Sequence, residues 1–128
     1  MYQASDFGVV GEAIALSLER LDGDGVRASW TVAAEVHQPA GILHGGIHCW
    51  VVETLASIGA DAWLGELGRV VGVSNQTDFY RASRDGRLTS TATPVHRGRS
   101  QQVWQVETRD AQERLVARGQ VRLQNLTP

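Results

Sequence analysis

The chain contains no lysine: its 12 basic residues are all arginine, set against 14 acidic ones in 128 residues. Without lysine there is no Schiff-base amine and no phosphate-loop ammonium. Any bound anion must be held by guanidinium, backbone N–H or hydroxyl groups. A GC-rich genome also produces a lysine deficit, and that is the plainer explanation. Cysteine is almost missing: Cys49 is the only one, so no intrachain disulfide can form and a reducing cytoplasm is the natural setting. A strong excess of either charge is also missing. The net charge of -2 and the pI near 6.0 argue against bulk attraction to nucleic acid or an anionic membrane, while leaving room for a local basic patch. No apolar run reaches membrane-spanning length, and no basic N-terminal region precedes one. The expectation is a soluble cytoplasmic protein with neither nucleic acid nor membrane as partner. There is no linker, repeat or low-complexity stretch. The composition, 42% hydrophobic and 20% charged, is that of an ordinary globular domain, and the length fits one domain over residues 1–128.

Periodicity gives the elements. Ser5 to Val10 fits a short helical turn capped by Ser5 or Asp6. Glu12 to Leu21 and Val26 to Val36 alternate with period two, on either side of the turn Leu21-Asp22-Gly23-Asp24-Gly25, and predict a hairpin. Gln38 to Leu43 is a loop punctuated by Pro39 and Gly41. From His44 to about Leu67 the spacing becomes helical and the stretch is apolar almost all round, so this helix belongs in the middle of the fold. Gly65 and Gly68 end it. Strands follow at Val70–Arg81, Gly86–Arg97, Gln101–Arg109 and Leu115–Gln124. Short turns between them predict an antiparallel sheet. The whole is an α+β domain: one long central helix wrapped by a five- to six-stranded antiparallel sheet.

Chemistry concentrates on that helix. Glu53 lies near its middle, where burying a charge costs several kcal/mol unless the group is paired or neutralised. Desolvation would raise its pKa and suit it to act as a general base or nucleophile. The alternatives are a glutamate bonded to a buried partner, or one facing solvent at a gap in the sheet. His44-Gly45-Gly46 begins the helix. Its first-turn N–H groups, unshielded by side chains, together with the positive end of the helix dipole, can polarise a carbonyl. A glycine-containing turn entering a helix is equally ordinary. Gly45 and Glu53 are eight positions apart, roughly 12 Å along one helix. If both act on one carbonyl, the favoured arrangement takes them from two subunits. Ser57, four residues after Glu53, shares its face and can orient it or a water; close packing is the simpler role. His44 and His48 have a spacing that can bind zinc, but Gly45 stands where the metalloprotease pattern needs Glu, so capping and core roles are favoured and no metal is expected. Cys49 reads as a buried, inert thiol. His96-Arg97-Gly98-Arg99-Ser100, at a hairpin tip, can grip phosphate oxygens or be a solvated turn.

The run Gln38-Pro39-Ala40-Gly41-Ile42-Leu43-His44-Gly45-Gly46, followed by Glu53, Ala56, Ser57 and Gly59, resembles the hotdog-fold acyl-CoA thioesterases. The subgroup is that of the phenylacetate-pathway, Arthrobacter-type 4-hydroxybenzoyl-CoA and 1,4-dihydroxy-2-naphthoyl-CoA enzymes. The tail Val116 to Val121 and the His96–Ser100 turn resemble uncharacterised actinobacterial members. The resemblance covers nearly the whole chain and implies a hotdog fold. It implies that Glu53 attacks the thioester carbonyl or activates water, and that the Gly45 N–H of the partner subunit polarises that carbonyl. Gln38 would contact the thioester region, His44 shape the helix entrance and Ser57 position the lytic water. Arg97, Arg99 and Ser100 would meet the phosphates or pantetheine of CoA. The substrate would be an acyl-CoA, with no metal and no separate cofactor. Members pair through the strand after the helix, here near Val71 to Phe79, as a homodimer or a dimer-of-dimers tetramer.

Two other functions compete. A hotdog dehydratase or hydratase needs a His on a Pro-rich loop, which His37-Gln38-Pro39 only faintly offers. An acyl-CoA-binding protein without catalysis is the non-enzymatic alternative. Trp50, Trp63, Phe79, Tyr80, Ala56, Gly59 and Ala60 can shape an aromatic acyl pocket or fill the core. Helical spacing makes core the expectation for Trp50 and Trp63.

Overall fold

The apolar stretch after the Pro/Gly loop is a helix against which the rest of the chain packs. The computed structural model describes residues 2–128. In chain order the elements are a 3-10 turn at Ala4–Phe7, helix α1 (Gly8–Ala13), strands β1 (Ser17–Asp22) and β2 (Gly25–Thr31), a 3-10 turn at Ala34–Val36, helix α2 (Gly45–Leu64), a 3-10 turn at Gly65–Leu67, and strands β3 (Arg69–Phe79), β4 (Arg87–Arg97), β5 (Gln101–Arg109) and β6 (Leu115–Leu126). The six strands form one sheet in the order β1-β2-β4-β5-β6-β3, with every neighbouring pair antiparallel. Helix α2 touches all six strands. This is the expected α+β hotdog arrangement.

Strand alternation builds the inner face. In β5, Gln102, Trp104, Val106 and Thr108 are buried while their neighbours are not. Val26, Ala28 and Trp30 of β2, Leu88 and Ala92 of β4, and Val121 and Leu123 of β6 join them, against Val51, Val52, Leu55, Ala56 and Ala60 of α2. Each large apolar side chain so buried contributes roughly 1.5–3 kcal/mol. Helix and sheet meet closely: a Cβ at Gly59 would stand 2.8 Å from the Trp104 ring and 3.0 Å from Val26. Among the described residues, His48 Nδ1 is the one buried side-chain polar atom without a partner; the polar groups of the sheet's inner face are paired. Gln102 donates to the Ala60 carbonyl (3.1 Å) and to Asn125 Oδ1 (2.9 Å), and accepts from the Trp104 indole (2.8 Å). The Trp30 indole donates to Ser90 Oγ at 2.9 Å.

Several sequence expectations are corrected. Glu12 to Leu21 is not one strand. Helix α1 continues to Ala13, the Ile14 N–H bonds the Val10 carbonyl at 3.1 Å, Ala15 turns to φ 50°, and β1 begins at Ser17. Ile14 and Leu16 are buried as alternation requires, but as a helix end and connector. The first turn is anchored by Asp6, which accepts from the Gln3 N–H at 2.6 Å, so the capping position falls at Gln3. β2 stops at Thr31, short of Val36. Helix α2 starts at Gly45, with His44 outside it as the cap, and gives way at Gly65 (φ 63°) to the 3-10 turn. Trp63, expected in the core, is 40% exposed: the last turn of α2 runs beneath the β1–β2 turn, and the Arg97 guanidinium lies 5.6 Å above its ring. Trp50 does pack against the core, partly buried, as expected; Cys49 is also only partly buried and is not the enclosed thiol expected.

His48 is a core residue. It is 4% exposed, edge-on to Trp30 and stacked on Phe79, each at 5.7 Å, and its Nδ1 has no hydrogen-bond partner. Burial pushes its pKa from 6.5 down to about 4. The folded chain therefore keeps the ring neutral where the unfolded chain protonates it. Between those two values the unfolded state binds more protons, so stability falls as pH drops from 6.5 to about 4 and this contribution then levels off. The full effect is roughly 3 kcal/mol. Urea unfolding at pH 7 and at pH 4.5 should show a larger loss in the wild type than in His48→Phe. Equal losses would contradict the neutral buried ring.

Candidate active site

The start of α2 is held by its own loop. Gln38 closes a tight turn, its N–H bonding the Ile42 carbonyl at 2.8 Å and its carbonyl accepting from Gly41 at 2.9 Å. Gly41 has φ 79°, a conformation that favours glycine. The loop is tied down by Leu43 N–H to the Ser83 carbonyl (2.8 Å) and by His37 Nε2 to the Arg84 carbonyl (2.7 Å). His44 then caps the helix: its Nδ1 accepts from the Gly46 N–H at 2.8 Å, which puts the neutral ring's proton on Nε2. The His44 carbonyl takes the Ile47 N–H at 3.0 Å. Among the described residues, the Gly45 N–H is the one left without an acceptor in this turn. A Cβ at Gly45 would stand 2.5 Å from the Phe79 ring, so only glycine lets Phe79 lie over the helix start. Gln38 and Gly45 line one cleft of about 290 Å³, with Phe79, Tyr80, Arg81 and Ser83 on its other side.

Glu53 is elsewhere. It projects two turns further along α2 and is exposed, which corrects the expectation of a buried carboxylate: α2 is apolar almost all round, yet at this point it faces β3, an edge strand with little on its far side. Two β3 residues that the periodicity did not single out touch it. Asn75 Nδ2 lies 3.4 Å from Glu53 Oε1, and a Cβ at Gly72 would stand 3.1 Å from Oε2. Ser57 is half-buried one turn beyond. Glu53 lies outside the Gln38/Gly45 cleft, and eight residues of helix separate it from Gly45 by roughly 12 Å. Within one chain the two halves do not meet.

The tip between β4 and β5 is divided. Arg97 donates to the Gly23 carbonyl (2.6 Å) and pairs with Asp24 (2.8 Å), so its guanidinium is engaged with the β1–β2 turn. The side chains of Arg99 and Ser100 are exposed, while Asn125 holds the tip by donating to the Gly98 and Arg99 carbonyls at 3.0 and 3.1 Å. His44 is exposed and His48 enclosed, and no three His, Cys, Asp or Glu side chains cluster as metal ligands among the described residues.

Comparison with known proteins shows the family. The Thioesterase superfamily pattern matches residues 40–117. AziG of S. sahachiroi, known from its crystal structure, is 60% identical, with a TM-score of 0.91 over 95% of this chain and 99% of that one. A Mycobacterium tuberculosis protein provisionally named an esterase is 49% identical over 116 residues, 88% of this chain and 83% of its own length. The 1,4-dihydroxy-2-naphthoyl-CoA hydrolase of Escherichia coli is 31% identical over 100 residues, 78% of this chain and 74% of that protein. With a match spanning more than half the chain, and a long helix packed on a six-stranded antiparallel sheet beneath it, the chain belongs to the thioesterase superfamily: it is a thioester hydrolase of hotdog fold.

Proposed function

We propose that the chain hydrolyses an acyl- or aroyl-CoA thioester to free acid and CoA, at sites each shared by two copies. The observation that carries this is the Gly45 N–H, unclaimed at the positive end of a 20-residue helix and facing a cleft it shares with Gln38. A thioester carbonyl accepting from that N–H gains negative charge on oxygen where the helix dipole stabilises it. Gln38 contacts the thioester region, and His44 sets the entrance through its cap on Gly46. Glu53 of the other copy attacks the carbonyl carbon, expelling the CoA thiolate and leaving an anhydride for water to cleave; or it takes the proton of an attacking water. Ser57 positions that water. Arg99 and Ser100 meet the CoA phosphates, on a tip whose placement Arg97 fixes. No metal or separate cofactor takes part. The E. coli relative is named for an aroyl-CoA substrate, which supports a CoA ester here.

Pairing through β3 is supported by its position. It is an edge strand of 11 residues whose Val71 and Val73 are 43% and 49% exposed, and an open apolar edge invites a second strand. A homodimer, or a tetramer built from two, working in the cytoplasm completes the reading.

Glu53→Ala should lower thiol release from a panel of CoA esters by more than about 100-fold with an unchanged melting temperature, since the side chain is exposed. Wild-type turnover in that variant would overturn the assignment. Gly45→Pro removes the N–H while suiting the first helical position, and His44 at ψ 131° suits a residue before proline. A Cβ at this position displaces the Phe79 ring in both variants, so Gly45→Ala, which keeps the N–H, is the control for that displacement: kcat of Gly45→Pro should fall about 100- to 1000-fold below that of Gly45→Ala. Mixed dimers of Glu53→Ala with Gly45→Pro should regain one intact site of two. No recovery on mixing would place both groups in one subunit.

A further inference from the structure

Strand β3 changes face partway along. Its register with β6 is interrupted between Gly72 and Ser74: Gly72 pairs with Leu123, and Asn75 with Val121. Leu123 and Val121 are both buried in the core, and directly paired residues share a face. Gly72 and Asn75 therefore both face α2, although residues three apart on a regular strand face opposite ways. Val73 is the extra residue of a β-bulge.

The two inward positions bracket Glu53. Gly72 leaves room for the carboxylate, as the 3.1 Å from its missing Cβ to Oε2 shows. Asn75 Nδ2 donates to the Cys49 carbonyl at 3.0 Å and points toward Glu53 Oε1 at 3.4 Å. The Thr77 hydroxyl donates to Asn75 Oδ1 at 2.7 Å. That hydroxyl lies in the space left by the missing Cβ of Gly119, its partner on β6. With Oδ1 taken by Thr77, the amide must present its N–H groups to α2. One anchors it on the helix backbone; the other remains for the carboxylate. No salt bridge reaches Glu53 among the described residues. Gly72 and Asn75 on β3 stand against it, with Cys49 one turn before it and Ser57 one turn after on α2.

We infer that Asn75 is a positioning residue for Glu53, held by Thr77 and brought to the helix by the bulge at Val73. This rests on Glu53 being the reactive carboxylate. An amide N–H directed at a carboxylate favours its ionised form and limits its rotation. The separation of 3.4 Å is long for a hydrogen bond, and such contacts shorten once substrate closes the site.

The test is the steady-state kinetics of a CoA ester that the wild type hydrolyses, in Asn75→Ala, Asn75→Asp, Thr77→Val and Glu53→Gln. Asn75→Ala should lower kcat by about 10- to 100-fold, with KM changed less than about threefold. Asn75→Asp keeps the shape, and so the fold, but replaces the donor with an acceptor; it should lose at least as much kcat. Thr77→Val should give a weaker version of the Asn75→Ala effect. Wild-type kcat in both Asn75 variants, or a KM that rises as far as kcat falls, overturns the inference, since a positioning role acts on kcat alone. If Glu53→Gln is fully active, the assignment of Glu53 itself has failed. If Glu53→Gln is inactive and both Asn75 variants match the wild type, only the positioning role has failed.

Discussion

The separation between α2 and the sheet is set where side chains are missing, and most of the molecule depends on it. At Gly59 the helix comes within a methyl group of Trp104, at Gly119 β6 leaves room for Val52 and Thr77, and at Gly72 β3 leaves room for the Glu53 carboxylate. Close approach on three sides brings Val52, Leu55 and Ala56 into full contact with the inner face of the sheet. Such density is what gives a core its dispersion energy and its rigidity. It also fixes the rotation of the helix about its axis. Once Gly59 faces Trp104, the direction in which Glu53 projects is settled.

A helix held this firmly is a ruler. Its first turn offers the Gly45 N–H, its third carries Glu53, and no rearrangement of the side chains brings those atoms onto one carbonyl. In the proposed function these groups are therefore two half-sites rather than one site. The first is built on backbone: the His44 cap, which occupies the Gly46 N–H, and the turn at Gln38 with its ties to the segment at Ser83 and Arg84. The second is built on side chains against an edge strand. Duplication through that edge is the economical way to combine them, and this is why catalysis and association are linked in the proposed function.

Much of this was legible in the sequence, and the failures have physical causes. The order of elements followed from periodicity, as did the central place of α2, because an all-round apolar stretch has nowhere else to go. β5 matched its expected limits residue for residue. The N-terminal strand was misread because Ile14 and Leu16 are buried two apart, a spacing that a helix end followed by a turn also produces. Burial of Glu53 was the first reading because an apolar neighbourhood in sequence suggests one in space; the alternative, exposure at a gap in the sheet, is what the structure has, and the edge position of β3 that decides it, set by pairing with β6, is a long-range fact. Trp63 was placed in the core for the same reason. Asn75 had no signal, since its direction depends on the bulge. Arg97 is a parallel case: β4 also shifts register, between Pro94 and His96, which turns Arg97 toward Asp24.

Val73 itself touches nothing that the site uses; its side chain is exposed. What matters is that it stands outside the ladder. Were Val73 paired with Arg122 in its turn, every later residue of β3 would turn over: Asn75, Thr77 and Phe79 would exchange faces with Gln76 and Asp78, and the amide behind Glu53 and the ring over Gly45 would both turn away from α2. Deleting it would leave Ser74, Asn75 and the residues beyond on the same β6 partners in a regular ladder. The far half of β3 faces the helix because one residue is left out of the count, a form of dependence that a survey of side-chain contacts does not detect.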